Sequence, residues 1–205
     1  ENYDRLTIIK GPQTVQWGPG NSAATVLFER NPEVFVDTNM RVNASMLIGS
    51  NRRLDRNLDA AFGNAMGYVR LIGNSSKSND YSDGKGKRVP SRWDKWQGDV
   101  ALGLTPSDST LLELTLGSGD GEARYAGRGM DGTQFKRTHI GVRLLKELQG
   151  EYLQGVSAQF YDNYADQIMD NYGLRQPNSA AAMPNMRTAF ASQVDRKTLG
   201  WRFKS

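Results

Sequence analysis

From Glu33 onward, apolar and polar positions alternate with a period of two. Met40, Val42, Ala44, Met46 and Ile48 share one parity and Asn39, Arg41, Asn43 and Ser45 the other, as in a strand with one face turned to an apolar medium. Gly49-Ser50-Asn51 predicts a turn. Leu54, Leu58, Ala60 and Phe62 then alternate with Asp55, Asn57, Asp59 and Ala61, and Gly63-Asn64 predicts the next turn before a strand starting over residues 68–74. The pattern continues with Val100, Leu102 and Leu104 against Gln97, Asp99 and Gly103. Leu112, Leu114 and Leu116 follow against Glu113, Thr115 and Gly117. Ile140, Val142 and Leu144 come next, then Val156, Ala158 and Phe160 against Gly155, Ser157 and Gln159, and residues 194–205 begin a further strand. This makes about eight antiparallel strands.

The connections carry a second pattern. Residues 75–92, 119–134 and 165–193 read as long polar loops, whereas 105–109 and 149–151 read as tight turns. After the first hairpin, short and long connections alternate, which is the asymmetry of outer-membrane barrels. The expected fold is therefore all-β, an antiparallel up-and-down transmembrane β-barrel portion. Val100, Leu102, Leu112, Leu114, Leu116, Ile140, Val142, Val156 and Phe160 would face lipid, as would Met40 and Met46, and the polar parity would line a wet lumen. Trp93, Trp96, Tyr125, Phe135, Tyr161 and Tyr164 fall near predicted strand ends, where aromatic girdles sit. A secreted β-sandwich binding module shows the same alternation but does not sort its loops by length. A small passive barrel closing on eight strands is the other rival.

Composition adds exclusions. The 205 residues are 38% hydrophobic with 22 glycines, and no run of about 18 apolar residues offers a transmembrane helix. Cysteine is absent, which removes thiolate ligands and disulfides from this stretch. Lys and Arg outnumber Asp and Glu by 26 to 22, with the excess gathered at Lys77, Lys85, Lys87, Arg88, Arg92 and Lys95. These read as a solvated loop or a contact with anionic sugars or lipids. No aromatic platform interleaves them, so a nucleic-acid partner is not expected.

The first thirty residues differ in kind. Leu6, Ile8 and Ile9 form a short strand, Gly11-Pro12 starts a helical turn, Gly18-Pro19-Gly20 stops it, and residues 24–28 resume extended structure. With Lys10-Gly11-Pro12, Trp17-Gly18 and the small-residue stretch 22–28 in that order, this unit resembles the end of the plug domain of TonB-dependent outer-membrane receptors. The resemblance implies a division into residues 1–32, the C-terminal part of a plug, and 33–205, the first strands of a barrel of about 22 strands. The chain starts inside a motif and ends on Trp201-Arg-Phe-Lys-Ser205, so it reads as an internal fragment whose missing signal peptide says nothing about secretion.

Catalytic signatures are lacking: one histidine, no nucleophile elbow, no phosphate-binding loop, and no calcium loop at Asp80-Tyr-Ser-Asp-Gly84, so enzyme activity is not expected. Two loops narrow the family. Residues 79–91 (Asn-Asp-Tyr-Ser-Asp-Gly-Lys-Gly-Lys-Arg-Val-Pro-Ser) and 123–137 (Ala-Arg-Tyr-Ala-Gly-Arg-Gly-Met-Asp-Gly-Thr-Gln-Phe-Lys-Arg), separated by Gly103-Leu-Thr-Pro106, resemble the copper-receptor subfamily. The strand Val194-Asp-Arg-Lys-Thr-Leu-Gly-Trp-Arg202 is similar to the subfamily's strand after its methionine-bearing loop. Gly127 departs from the acidic residue often found there.

Copper(I) is soft and favours thioether and imidazole donors. Met183-Pro-Asn-Met186, two thioethers in a polar loop, is the leading metal-binding candidate, and Met130, Met169 and His139 form a second tier. Each also has a bland reading: a loop Met folded on the rim, or a lone lumenal His that is merely hydrogen-bonded. The resemblance implies copper as the transported ligand, with no catalytic cofactor. It also implies residence in the outer membrane of a Gram-negative bacterium, contact with lipid and lipopolysaccharide, and drive by a TonB–ExbB–ExbD system through a segment upstream of Glu1. A receptor for a siderophore or other metal chelate is the nearest alternative.

Overall fold

The computed structural model describes residues 3–11, 23–148, 150, 154–181 and 183–204. The helical turn expected between Pro12 and Trp17, and most of the tight turn expected at 149–151, lie outside these. The chain opens with an antiparallel hairpin of β1 (Arg5–Lys10) and β2 (Ala24–Glu29), a sheet of its own. There follow β3 (Asn39–Gly49), β4 (Arg53–Asn64) and β5 (Gly67–Ser78), then a small loop hairpin of β6 (Tyr81–Ser82) and β7 (Arg88–Val89). After it come β8 (Trp93–Ser107), β9 (Thr110–Ala123), β10 (Asp131–Glu147), β11 (Gly155–Asp170) and β12 (Ala191–Lys204). β3, β4, β5 and β8–β12 make one eight-stranded antiparallel sheet in meander order.

Directly opposed residues in an antiparallel ladder project to the same side, so the register sorts the sequence into rows. One row, Met40, Phe62, Val69, Leu102, Leu114, Val142, Phe160 and Trp201, is apolar across all eight strands. The adjacent row on that face runs Val42, Ala60, Leu71, Val100, Leu116, Ile140, Asp162 and Leu199, and Asp162, its one charged member, takes Lys197 Nζ at 3.2 Å. The opposite face carries Asn43, Asp59, Ile72, Asp99, Gly117, His139, Asn163 and Thr198.

Burial runs contrary to a water-soluble protein. Asp59 and Arg70 are each 4% exposed, while Ile140 is 47% and Trp201 72% exposed. Water would drive the reverse arrangement; hydrocarbon outside and a polar interior within explain it. A sandwich would need a second sheet packed on the apolar face, and among the described residues there is none. Nor does the sheet close on itself: β3 and β12 are edges, not partners, so the eight-stranded closed barrel is not what forms.

The connections separate by end. Residues 50–52, 79–92, 124–130, 171–181 and 183–190 lie at one rim, and 65–66, 108–109, 148, 150 and 154 at the other. At the first rim Asn79 N donates to Asn51 O at 2.8 Å, and at the second Thr105 N donates to Met66 O at 2.9 Å. In the first hairpin Asn51 and Arg52 both have positive φ (57° and 55°), and Arg53 N donates to Ser50 O at 3.1 Å. This is a primed turn, whose twist matches that of the strands it joins.

Two expectations need correction. The three long loops are shorter than their sequence limits, because β5, β9 and β11 run on past the apolar rows to Ser78, Ala123 and Asp170. The proposed aromatic girdle also divides. Trp96 and Tyr164 share the apolar face, but Trp93 donates from Nε1 to Ser76 Oγ on the polar face at 2.8 Å. Tyr161 lies over Gly200 on that polar face, and Phe135 lies over Gly132.

Candidate functional site

The long loops at the first rim are joined by buried charges. Asp131, at the start of β10, is fully buried. It accepts Arg175 Nε at 2.7 Å, Tyr125 N at 2.9 Å and a further hydrogen bond from Arg175 Nη2. Arg175, from the 171–190 loop, also donates to Tyr125 O at 2.8 Å and Arg128 O at 2.5 Å. Arg124 lies 3.8 Å from Asp131 and donates to Asp80 Oδ2 at 2.6 Å. Asp80 in turn accepts Ser91 N and Arg92 N, each at 2.9 Å, closing its own loop. A chain of alternating charges thus ties all three loops into one body, with each buried carboxylate matched by a guanidinium.

Burial works to raise the Asp80 carboxyl, but the Ser91 and Arg92 amides and the Arg124 and Arg88 guanidiniums outweigh it and hold it below the usual carboxylate range. A lowered native value means that the stabilisation is present at neutral pH. It is lost as pH falls below the ordinary carboxylate value of about 4 and through the lowered one. Amide exchange at Ser91 and Arg92 should therefore be protected at pH 7 and progressively less protected as the pH is taken below the ordinary carboxylate value of about 4. Protection that stays the same over that range, after correction for intrinsic rates, would refute this role for Asp80.

The methionine loop rests on the same body. Met183 is 59% exposed, and its carbonyl accepts Met186 N at 3.0 Å to close a single 3-10 turn, Pro184–Met186, with proline at a tolerated first position. Asn171 is 1% exposed and uses its whole amide on this loop. Its Nδ2 donates to Met186 O at 3.0 Å and Thr188 O at 2.9 Å, and its Oδ1 accepts Phe190 N at 2.8 Å. Met186 Sδ lies where a side chain on Gly129 would go: a Cβ there would stand 2.6 Å from the sulfur.

The structure therefore brings Met186 to the 124–130 loop and next to the residue preceding Met130. Met169 is half-buried near the end of β11, on the polar parity opposite Gly132. His139 is elsewhere. It stands eight positions along β10 from Asp131, about 26 Å at the rise of a strand, with Nε2 at 3.4 Å from Asp99 Oδ1. Gly117 makes room for that pair, since a Cβ there would run into both the His139 ring and the Asp99 carboxylate. His139 is thus a lumenal partner of Asp99 rather than a neighbour of the methionines. Among the described residues no group of three or more His, Asp or Glu side chains is gathered as for a metal ion.

The polar face also receives the segment that leads in from β2. Arg30 Nη2 donates to Asp99 Oδ2 at 3.1 Å, and Gln97 Nε2 donates to the same oxygen at 2.8 Å. Arg70 grips Asp59 with two hydrogen bonds, at 2.9 and 2.7 Å, and meets Glu33 at 3.2 Å and Asp4 at 3.7 Å. Arg41 reaches Asp59 at 3.3 Å and also pairs with Glu33. The β1–β2 hairpin is thereby held on the polar side of the sheet.

None of Asp80, Arg124, Asp131, Asn171 and Arg175 was picked out in the sequence as a site residue, although the first three lie in the two loops that carry the resemblance. Asp131-Gly132 has the look of a solvated turn, and the partners of Asp131 come from positions 124, 125 and 175, which no local pattern connects.

No family model and no curated protein matches the chain. Among solved structures it is similar to the copper transporter OprC, with 61% identity over 98% of this chain and a TM-score of 0.90. The chain spans 31% of the length of that transporter. An eight-stranded sheet with inverted polarity, a hairpin on its polar face and identity at this level settle its kinship: the chain belongs to the TonB-dependent outer-membrane receptors, in the branch that contains this copper transporter.

Proposed function

We propose that the chain is the part of a copper-uptake receptor that joins plug to barrel. Residues 1–32 are the end of the plug, and 33–205 the first strands of a larger transmembrane barrel. The identity to a copper transporter over almost the whole chain carries this reading. The two unpaired sheet edges agree with it, because exposed strand edges are not tolerated in hydrocarbon and need further strands to cover them. The protein works as a transporter in the outer membrane of a Gram-negative cell rather than as an enzyme. Lipid and lipopolysaccharide lie against the apolar rows, and a TonB–ExbB–ExbD system supplies force through a segment upstream of the plug.

Copper(I) is captured at the long-loop rim. Met183 and Met186 donate thioether sulfurs, which suit a soft ion and discriminate against hard divalent cations. Met130 comes next in order, because its loop abuts Met186. Met169 sits on the polar face just inside the rim and His139 on the same face far deeper in, where they would meet the ion only after capture. Two thioethers supply at most part of a two- to four-coordinate site, so the plug contributes the rest. In the receptor that contains this chain, Met183→Leu with Met186→Leu keeps the volume, removes the sulfur, and should weaken copper(I) binding at least about tenfold. Unchanged affinity and stoichiometry would show these methionines to be rim packing.

A further inference from the structure

Met186 is held between two fixed features. Behind it, the buried Asn171 amide bonds to the Met186 carbonyl, the Thr188 carbonyl and the Phe190 amide, so the segment carrying the sulfur is fixed over three points rather than one. In front of it, the bare Cα of Gly129 leaves the space that Sδ occupies. The 124–130 loop cannot retreat from that contact. Its two ends are pinned through Tyr125 and Asp131, and Arg175 of the methionine loop binds Asp131, Tyr125 and Arg128 together. We propose that Asn171 and Gly129 are positioning residues that place the Met186 sulfur before the ion arrives, so that copper(I) meets a preformed thioether and not a loop it must order.

The proposal rests on the methionine reading above and adds a cause for its affinity. A methionine side chain has several rotatable bonds and a polar loop offers little apolar packing, so a free Met186 would lose rotamer and backbone entropy on binding. Fixing the loop in advance removes that cost from the binding step. The buried position of Asn171 also accounts for its residue type. Aspartate is the same size but has no N–H to offer the two carbonyls, and it would set a negative charge against both.

The test is a double-mutant cycle in the whole receptor, with copper(I) as the probe, titrated anaerobically against a chromophoric competing chelator. The variants are Asn171→Asp and Gly129→Ala, each in wild-type and in Met183→Leu/Met186→Leu backgrounds. Gly129 does not have a left-handed φ, so alanine is accommodated by the backbone and displaces only the sulfur. Asn171→Asp should lower affinity about tenfold and Gly129→Ala about fivefold, and neither should lower it further once the sulfurs are gone. X-ray absorption should report one fewer sulfur around bound copper in Asn171→Asp. If the leucine pair alone changes nothing, the methionine reading fails and takes this inference with it. If the leucine pair weakens binding but Asn171→Asp and Gly129→Ala do not, positioning is overturned while the site stands. Equal losses in the leucine background would also overturn it, since the residues would then act on something other than the sulfur. Should Asn171→Asp fail to assemble, Gly129→Ala decides the matter alone.

Discussion

Replacing Arg70 with methionine in the receptor that contains this chain should lower its stability by about 3–5 kcal/mol, the cost of leaving buried charge uncompensated. Arg70 is the hub of the polar face. Its guanidinium binds both oxygens of Asp59 and lies within salt-bridge distance of Glu33 and Asp4, two acids of the segments flanking the β1–β2 hairpin. Removing it leaves Asp59 with Arg41 alone, at 3.3 Å and already shared with Glu33, which places the loss toward the lower end of that range. Lysine should recover only part, because a point charge cannot reproduce the paired hydrogen bonds of the fork. The measurement is the urea midpoint of barrel unfolding, read from heat-modifiable electrophoretic mobility, together with protease sensitivity of residues 31–38. Both should change in Arg70→Met, and an unmoved midpoint would mean that the pair is solvated and contributes little.

What the sequence disclosed and what it hid divide along physical lines. Parity survives in the sequence wherever one face meets hydrocarbon, so the rows through Leu102, Leu114 and Phe160, and the lumenal place of His139, are legible from the order of residues alone. Past the apolar rows both faces are wet. Alternation disappears at Ser75–Ser78, 119–123 and 165–170 although ladder hydrogen bonding continues, which is why those strand ends read as loop. Aromatics hid their side for a related reason. Trp93 and Tyr161 carry polar atoms that serve a lumen as well as a membrane boundary, and only register sends them inward. The methionine loop was visible from composition. Its support was not, because Asn171, Asp131 and Arg175 act across separations of up to 50 residues and look singly like ordinary polar loop residues.

The assignment of faces can be tested by a paired substitution. Leu114 sits at the centre of the fully apolar row, flanked across the ladders by Leu102 and Val142, whereas Asn163 lies on the polar row between His139 and Thr198. An arginine at 114 must carry its charge into hydrocarbon or bend out of it, at a cost of about 2–4 kcal/mol near the bilayer midplane. The same residue at 163 enters a wet, mixed-charge interior and should cost little. Leu114→Arg should therefore cut the fraction of receptor assembled in the outer membrane severalfold while Asn163→Arg leaves it near wild type. Because the two variants add the same side chain to strands paired on both sides in one sheet, a general intolerance of arginine would lower both. Loss in Asn163→Arg with none in Leu114→Arg would mean that the faces are reversed. Assembly near wild type in both would mean that neither face meets lipid, and the buried ion pairs of Asp59, Arg70 and Asp99 would then have to be explained in water.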